Sequence, residues 1–124
     1  MNTEQLKKLE KKAASRGISQ ENGYERHVLF CGQSGCCKDH NEAKAALKVL
    51  NKGAKKLKED GVKVYVTEVE CLKLCQNGPI AVVYPDGVWY GRVTPEICAR
   101  IVEEHLGAGE VVEDAVFARN RLEE

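Results

Sequence analysis

At 124 residues, with Lys plus Arg and Asp plus Glu balanced at 19 each, the chain is one domain's worth of protein and carries no global charge to draw it to nucleic acid or an anionic membrane. No apolar run approaches the roughly 20 residues that span a bilayer, and the start MNTEQLKKLEKKAASRG lacks the apolar core of a signal peptide. A reducing cytoplasm is therefore expected, where the six cysteines read as metal ligands or redox groups rather than as a disulfide framework.

Residues 3 to 15 form a charged helical pattern with Leu6, Leu9, Ala13 and Ala14 as its apolar positions, followed by the polar stretch SRGISQENG. Residues 1–25 are accordingly expected to be a solvated helix and linker. RHVLF, 26 to 30, reads as a short strand that stops at Cys31. Asp39 with Glu42 then makes a capping box, and Ala43, Leu47, Leu50, Ala54 and Leu57 repeat in steps of four and three as one buried helical stripe. Lys44, Lys48, Lys52 and Lys55 fall off that stripe, so the eight Lys against four acids between 38 and 63 read as the wet face of a helix that Gly61 stops.

VKVYVTEV, 62 to 69, alternates as a strand with distinct faces does. After CLKLCQNGP comes the apolar strand IAVVY, the turn PDG and the strand VWYGRV, which together predict a hairpin. Within it Trp89 and Tyr90 must point to opposite faces, one into the core and the other free to meet solvent or a partner. Thr94 is placed as an N-cap with Pro95 at the first helical position, opening a helix to about Leu106. The acidic segment 107–124 is expected to be a less ordered tail.

The order strand, helix, strand, hairpin, helix predicts an α/β domain over 26–106. A strand, helix, strand unit crosses over right-handedly and leaves its strands parallel, with their C-terminal ends at one sheet edge. Cys31 begins the loop leaving the first strand and Cys71 the loop leaving the second. Two cysteine pairs distant in sequence, Cys31-x4-Cys36 and Cys71-x3-Cys75, can thereby converge.

Four thiolates on two loops suit an iron–sulfur cluster or a tetrahedral metal, both of which take soft anionic ligands. Neither pair has the two-residue separation usual in zinc ribbons, and no C-x-x-C exists to act as a thioredoxin-type dithiol. The plant-type run C-x4-C-x2-C fails at Asp39, and Cys37-x2-His40 is only half of a Rieske motif. Gly32, Gly35 and Gly78 flank the candidates, where missing side chains let backbone N–H groups approach sulfur. Such donors matter, because two ferric ions, two sulfides and four thiolates sum to minus two before an electron is added.

HVLFCGQSGC, CLKLCQNGP, VVYPDGVWYGRVTPE, IVEEHL and GEVVE together resemble the thioredoxin-like 2Fe-2S ferredoxins and the related small iron–sulfur subunit of respiratory complex I and bacterial hydrogenases. The resemblance covers about residues 26 to 113. It implies a thioredoxin-like fold with a four-stranded mixed sheet and flanking helices, and a 2Fe-2S cluster held by Cys31, Cys36, Cys71 and Cys75. It also implies a homodimeric one-electron carrier, serving a redox protein donor and acceptor without catalysis of its own. The gap GQSG between the first two ligands is shorter than free-standing members often have. That favours, as an alternative, a subunit or accessory protein of a larger NAD(P)H-linked oxidoreductase or hydrogenase complex. A structural zinc module is a further alternative that the spacings disfavour.

The family spacing selects Cys36, although Cys37 adjoins it. Cys98, beside Ile101 and Val102 on the last helix, reads as a buried inert thiol. His27, His40 and His105 show no acid partner at catalytic spacing and read as structural or solvated. Pro79, just before IAVVY, stands where thioredoxin-like folds place a cis proline, a match that the peptide geometry tests.

Overall fold

The computed structural model describes residues 2–19, 23–32, 40–70, 72–74 and 78–122, with His40 in its backbone alone. The elements run α1 (Thr3–Ser15), β1 (Arg26–Cys31), α2 (His40–Glu59), β2 (Val64–Glu68), β3 (Ile80–Tyr84), β4 (Val88–Tyr90), α3 (Pro95–Arg100) and β5 (Val116–Arg119). A π-helical stretch over Ile101–Leu106 continues α3, and a 3-10 turn over Glu113–Ala115 leads into β5. The strands form one mixed sheet in the order β2-β1-β3-β4-β5.

Among the described residues the sheet has five strands, which corrects the expected four. Val88, Trp89 and Tyr90 of β4 pair with Arg119, Ala118 and Val116, so the acidic segment expected to be less ordered supplies an edge strand instead. The physical reason lies in its apolar residues rather than its charge. Val112 is buried in the core and Val116 packs against it, and β5 gives β4 the ladder partner that an edge otherwise lacks. Arg100 grips Asp114 through two bonds of 2.9 Å, tying α3 to the turn before β5.

β1 lies inside the sheet, parallel to β2 with Val28 opposite Val66 and antiparallel to β3 with Val28 opposite Val83. Ile80 to Val83 of β3 are all buried, as the unbroken apolar run IAVV requires. β2 is the other edge strand, which is why the alternation of VKVYVTEV leaves Val64 to Thr67 all half-buried instead of splitting them between core and solvent. α2 covers one face with Ala43, Leu50 and Ala54 buried and Leu47 and Leu57 half-buried. Ala46, fully buried, belongs to the stripe as well. Lys44, Lys48, Lys52 and Lys55 are exposed, as their places off the stripe predict.

α2 and the π-helical stretch approach closely at Gly53, where a Cβ would stand 2.5 Å from Val102 Cγ1. Only the missing side chain permits this contact. The Thr94 hydroxyl accepts the Ile97 N–H at 3.2 Å and Pro95 opens α3, as the sequence predicts. In the hairpin it is Tyr90 that enters the core, at 0% exposure, while Trp89 is half-buried and meets Phe117 edge-to-face at 6.4 Å. α1 has a complete capping box between Asn2 and Gln5 and buries no residue, in keeping with a solvated helix. Among the described residues no helix is long and apolar enough to cross a membrane.

Candidate metal centre

The crossover places the C-terminal ends of β1 and β2 at one sheet edge, with Phe30 opposite Glu68. The Val69 N–H donates to the Phe30 carbonyl at 2.8 Å and carries this pairing past the end of β2. β3 runs the other way, so its first residue, Ile80, pairs with Cys31. The roots of the loops that follow β1 and β2, and the first residue of β3, thus all stand at this edge.

Cys31 is fully buried there, and its thiol points to the Glu70 carbonyl oxygen at 3.5 Å. Glu70 immediately precedes Cys71. The first residue of one cysteine pair therefore touches the residue next to the first member of the other, a contact between positions 39 apart in sequence. Cys36, Cys37, Cys71 and Cys75 lie outside the described residues, as do Gly35 and the expected N-cap Asp39. Among the described residues no group of three His, Cys, Asp or Glu is placed to hold a metal.

The described frame fits a thiolate-held group on two observations. Cys31 supplies a soft donor shielded from solvent at the edge where both loops begin. Gly32 follows it, and a Cβ there would stand 2.9 Å from both Ala43 Cβ and Phe30 Cε1. The bare backbone of Gly32 lets the first turn of α2 close over the end of β1. Between Cys71 and Cys75, Lys73 holds the left-handed conformation at φ 62°, which costs a side-chain-bearing residue about 1–2 kcal/mol. Leu74 beside it is 43% exposed, a large apolar side chain facing water in the second cysteine loop. The Gly78–Pro79 peptide is cis, as the position of Pro79 predicts, and Tyr84–Pro85 is cis as well.

Cys98 is fully buried on α3, where burial pushes its thiol up to about 12 and keeps it inert at neutral pH. His27 bonds Thr67 Oγ1 at 2.7 Å on the neighbouring strand, and its partial burial holds it below the usual histidine range. His105 has acid and phenol partners that the sequence reading misses. Its Nε2 lies 2.6 Å from Asp86 and its Nδ1 2.7 Å from the Tyr90 hydroxyl, which also accepts the Val112 N–H at 3.1 Å. Arg26 completes the chain with a 3.0 Å bond to the same Asp86 oxygen. Arg26, which begins β1, and Asp86, in the β3–β4 turn, stand at the opposite end of the sheet from Cys31, whereas Tyr90 sits level with Ala81 and Phe30 in the ladder and meets them through His105. No periodic pattern links positions so far apart, although a fully buried His next to the apolar face of a helix is a signal to look for a partner.

The profile of the thioredoxin-like [2Fe-2S] ferredoxins matches residues 18–106. A 2Fe-2S ferredoxin of Aquifex aeolicus is 50% identical over 56 residues, 45% of this chain and 50% of that one. One from Clostridium pasteurianum is 53% identical over 49 residues, 40% of this chain and 48% of its own. The matches thus span about half the length of these two relatives. The solved structure of a thioredoxin-like [2Fe-2S] ferredoxin from Aquifex aeolicus superposes with a TM-score of 0.69 at 32% identity, covering 80% of this chain and 96% of that one.

Proposed function

The chain belongs to the thioredoxin-like [2Fe-2S] ferredoxins, and on that premise we propose that it is a one-electron carrier whose cluster is held by Cys31, Cys36, Cys71 and Cys75. The observation that supports this reading is the contact of the Cys31 thiol with the Glu70 carbonyl, which joins the residues at the roots of the two cysteine loops. A 2Fe-2S cluster supplies a reversible one-electron couple when bound. The chain's own residues do the rest. Cys31 supplies a buried thiolate, Gly32 admits the packing of Ala43 over the strand end, and the paired ends of β1, β2 and β3 hold the loop roots rigidly. A rigid frame keeps the ligand geometry alike in both oxidation states, which lowers the reorganisation that each transfer requires.

Carriage between a redox protein donor and acceptor, without catalysis by the chain itself, belongs to the same proposal, as does the homodimer the family resemblance implies. The second reading, a subunit of a larger oxidoreductase complex, is favoured by the four-residue gap GQSG. Light scattering on purified protein separates a homodimer from a monomer, and co-purification of a flavin or hydrogenase subunit would support the second reading.

The decisive experiment is iron and acid-labile sulfide per chain on anaerobically purified protein. About two of each are expected. Zinc without sulfide would overturn the electron-carrier reading and leave a metal-stapled module.

A further inference from the structure

The end of the sheet away from Cys31 carries a second feature. The C-terminal end of α1, the end of α2 and the start of β2 enclose an open cleft of about 270 Å³. Its charged lining is wholly basic, made of Arg16, Lys58 and Lys63, and no carboxylate lines it among the described residues. Arg16 and Lys58 are exposed and form no ion pair among the described residues. Tyr24 and Tyr65 line the same cleft.

Those two rings belong to an aromatic cluster. Tyr24 and Tyr65 lie 5.2 Å apart between centroids, and His27 meets each of them, at 5.1 and 5.0 Å. The walls are held together through the backbone. The Tyr24 N–H donates to the Gly17 carbonyl at 2.8 Å, and the Glu25 N–H to the Lys63 carbonyl at 2.8 Å. α1 is thus moored at its end although none of its residues is buried, and the cleft exists because of that mooring.

Cations around a cleft favour an anion, and guanidinium with ammonium suits phosphoryl oxygens. Aromatic walls favour a flat apolar body. The volume falls just below the range of about 300 Å³ upward that holds drug-sized ligands, so the occupant is small. We propose that this cleft binds a small phosphorylated aromatic ligand of the mononucleotide class, its phosphate between Arg16 and Lys58 and its ring against Tyr24 and Tyr65. β1 is six residues long, which separates the cleft from Cys31 by about 16 Å. Binding is accordingly independent of the ligand loops and can be read without any redox measurement.

The test is calorimetric titration of the full chain, cluster loaded, with three probes: AMP, inorganic phosphate and adenosine. AMP is expected to saturate with a dissociation constant below about 1 mM and to bind at least about tenfold more tightly than either fragment. Arg16→Ala and Lys58→Ala should each weaken AMP about tenfold, and Tyr65→Leu should weaken AMP while leaving phosphate unchanged. Unaltered circular dichroism and visible absorption would show that these variants fold and load. No saturable AMP binding up to about 10 mM overturns the proposal, as does phosphate binding as tightly as AMP, or wild-type AMP affinity in both cation variants.

Discussion

The Tyr90 hydroxyl lies 2.7 Å from His105 Nδ1, joining the core of the β4 strand to the π-helical stretch in a fully buried contact. With Val112 N–H donating to the same hydroxyl, the phenol proton goes to Nδ1, so the Nε2 proton of neutral His105 goes to Asp86. Every member has a partner, and four segments are tied by one polar chain.

Tyr90→Phe should therefore cost more than an ordinary hydrogen bond. It leaves the Val112 N–H and His105 Nδ1 buried without partners, and each such group costs about 1–3 kcal/mol. A loss of about 2–4 kcal/mol is expected in urea denaturation of the loaded protein. A loss under about 1 kcal/mol would show that the chain is not under this constraint.

The same residues set a direction for acid sensitivity. Burial holds His105 below its ordinary 6.5, outweighing the pull of Asp86. An unfolded chain then binds a proton near 6.5 that the folded chain refuses, so stability falls as pH drops through that range. Burial raises Asp86, but hydrogen bonds from His105 and Arg26 outweigh it and hold the carboxyl below 3.8. Its contribution is present above 3.8 and lost as pH falls through the depressed folded value. Both groups act in one direction. Plotting denaturation midpoints between about pH 7 and pH 5 should give a falling slope that His105→Gln makes shallower; an identical slope in the variant would assign the effect elsewhere.

Gly53→Ala tests the helix contact. Alanine favours a helix over glycine by about 1 kcal/mol, yet here its Cβ would stand 2.5 Å from a stiff, branched valine. Overpacking of this kind costs about 1–3 kcal/mol, so net destabilisation of up to about 2 kcal/mol is expected. The double variant with Val102→Ala should lose the clash, and thermal melting of both variants reads the difference.

Cys36→Ser and Cys37→Ser separate the two adjacent thiols. The first should abolish or shift the visible absorption of the cluster and lower iron content, and the second should leave both intact. The opposite pattern would assign the ligand to Cys37.

Much of this was legible in the sequence because the signals are local. The stripe Ala43, Leu50 and Ala54 needs only the 3.6-residue period, and Thr94 with Pro95 needs only the chemistry of a helix start. That Cys31 meets the Glu70 carbonyl, at the root of the second cysteine loop, followed from the crossover, since a strand, helix, strand unit leaves its strands parallel with their C-terminal ends at one end of the sheet. The family resemblance added the cluster.

Tertiary structure alone decided the rest. Whether Trp89 or Tyr90 enters the core depends on which sheet face α2 and α3 cover, and alternation is symmetric on that point. β5 was hidden because an acidic composition reads as solvated, while the strand is stabilised by its ladder partner, by buried Val112 just before it and by half-buried Val116. Arg26, Asp86, Tyr90 and His105 carry no spacing signal, because a hydrogen-bonded chain is assembled by packing elements whose positions in sequence are unrelated. The hydrophobic pattern determined which elements form; the close packing of one sheet against two helices determined which side chains meet.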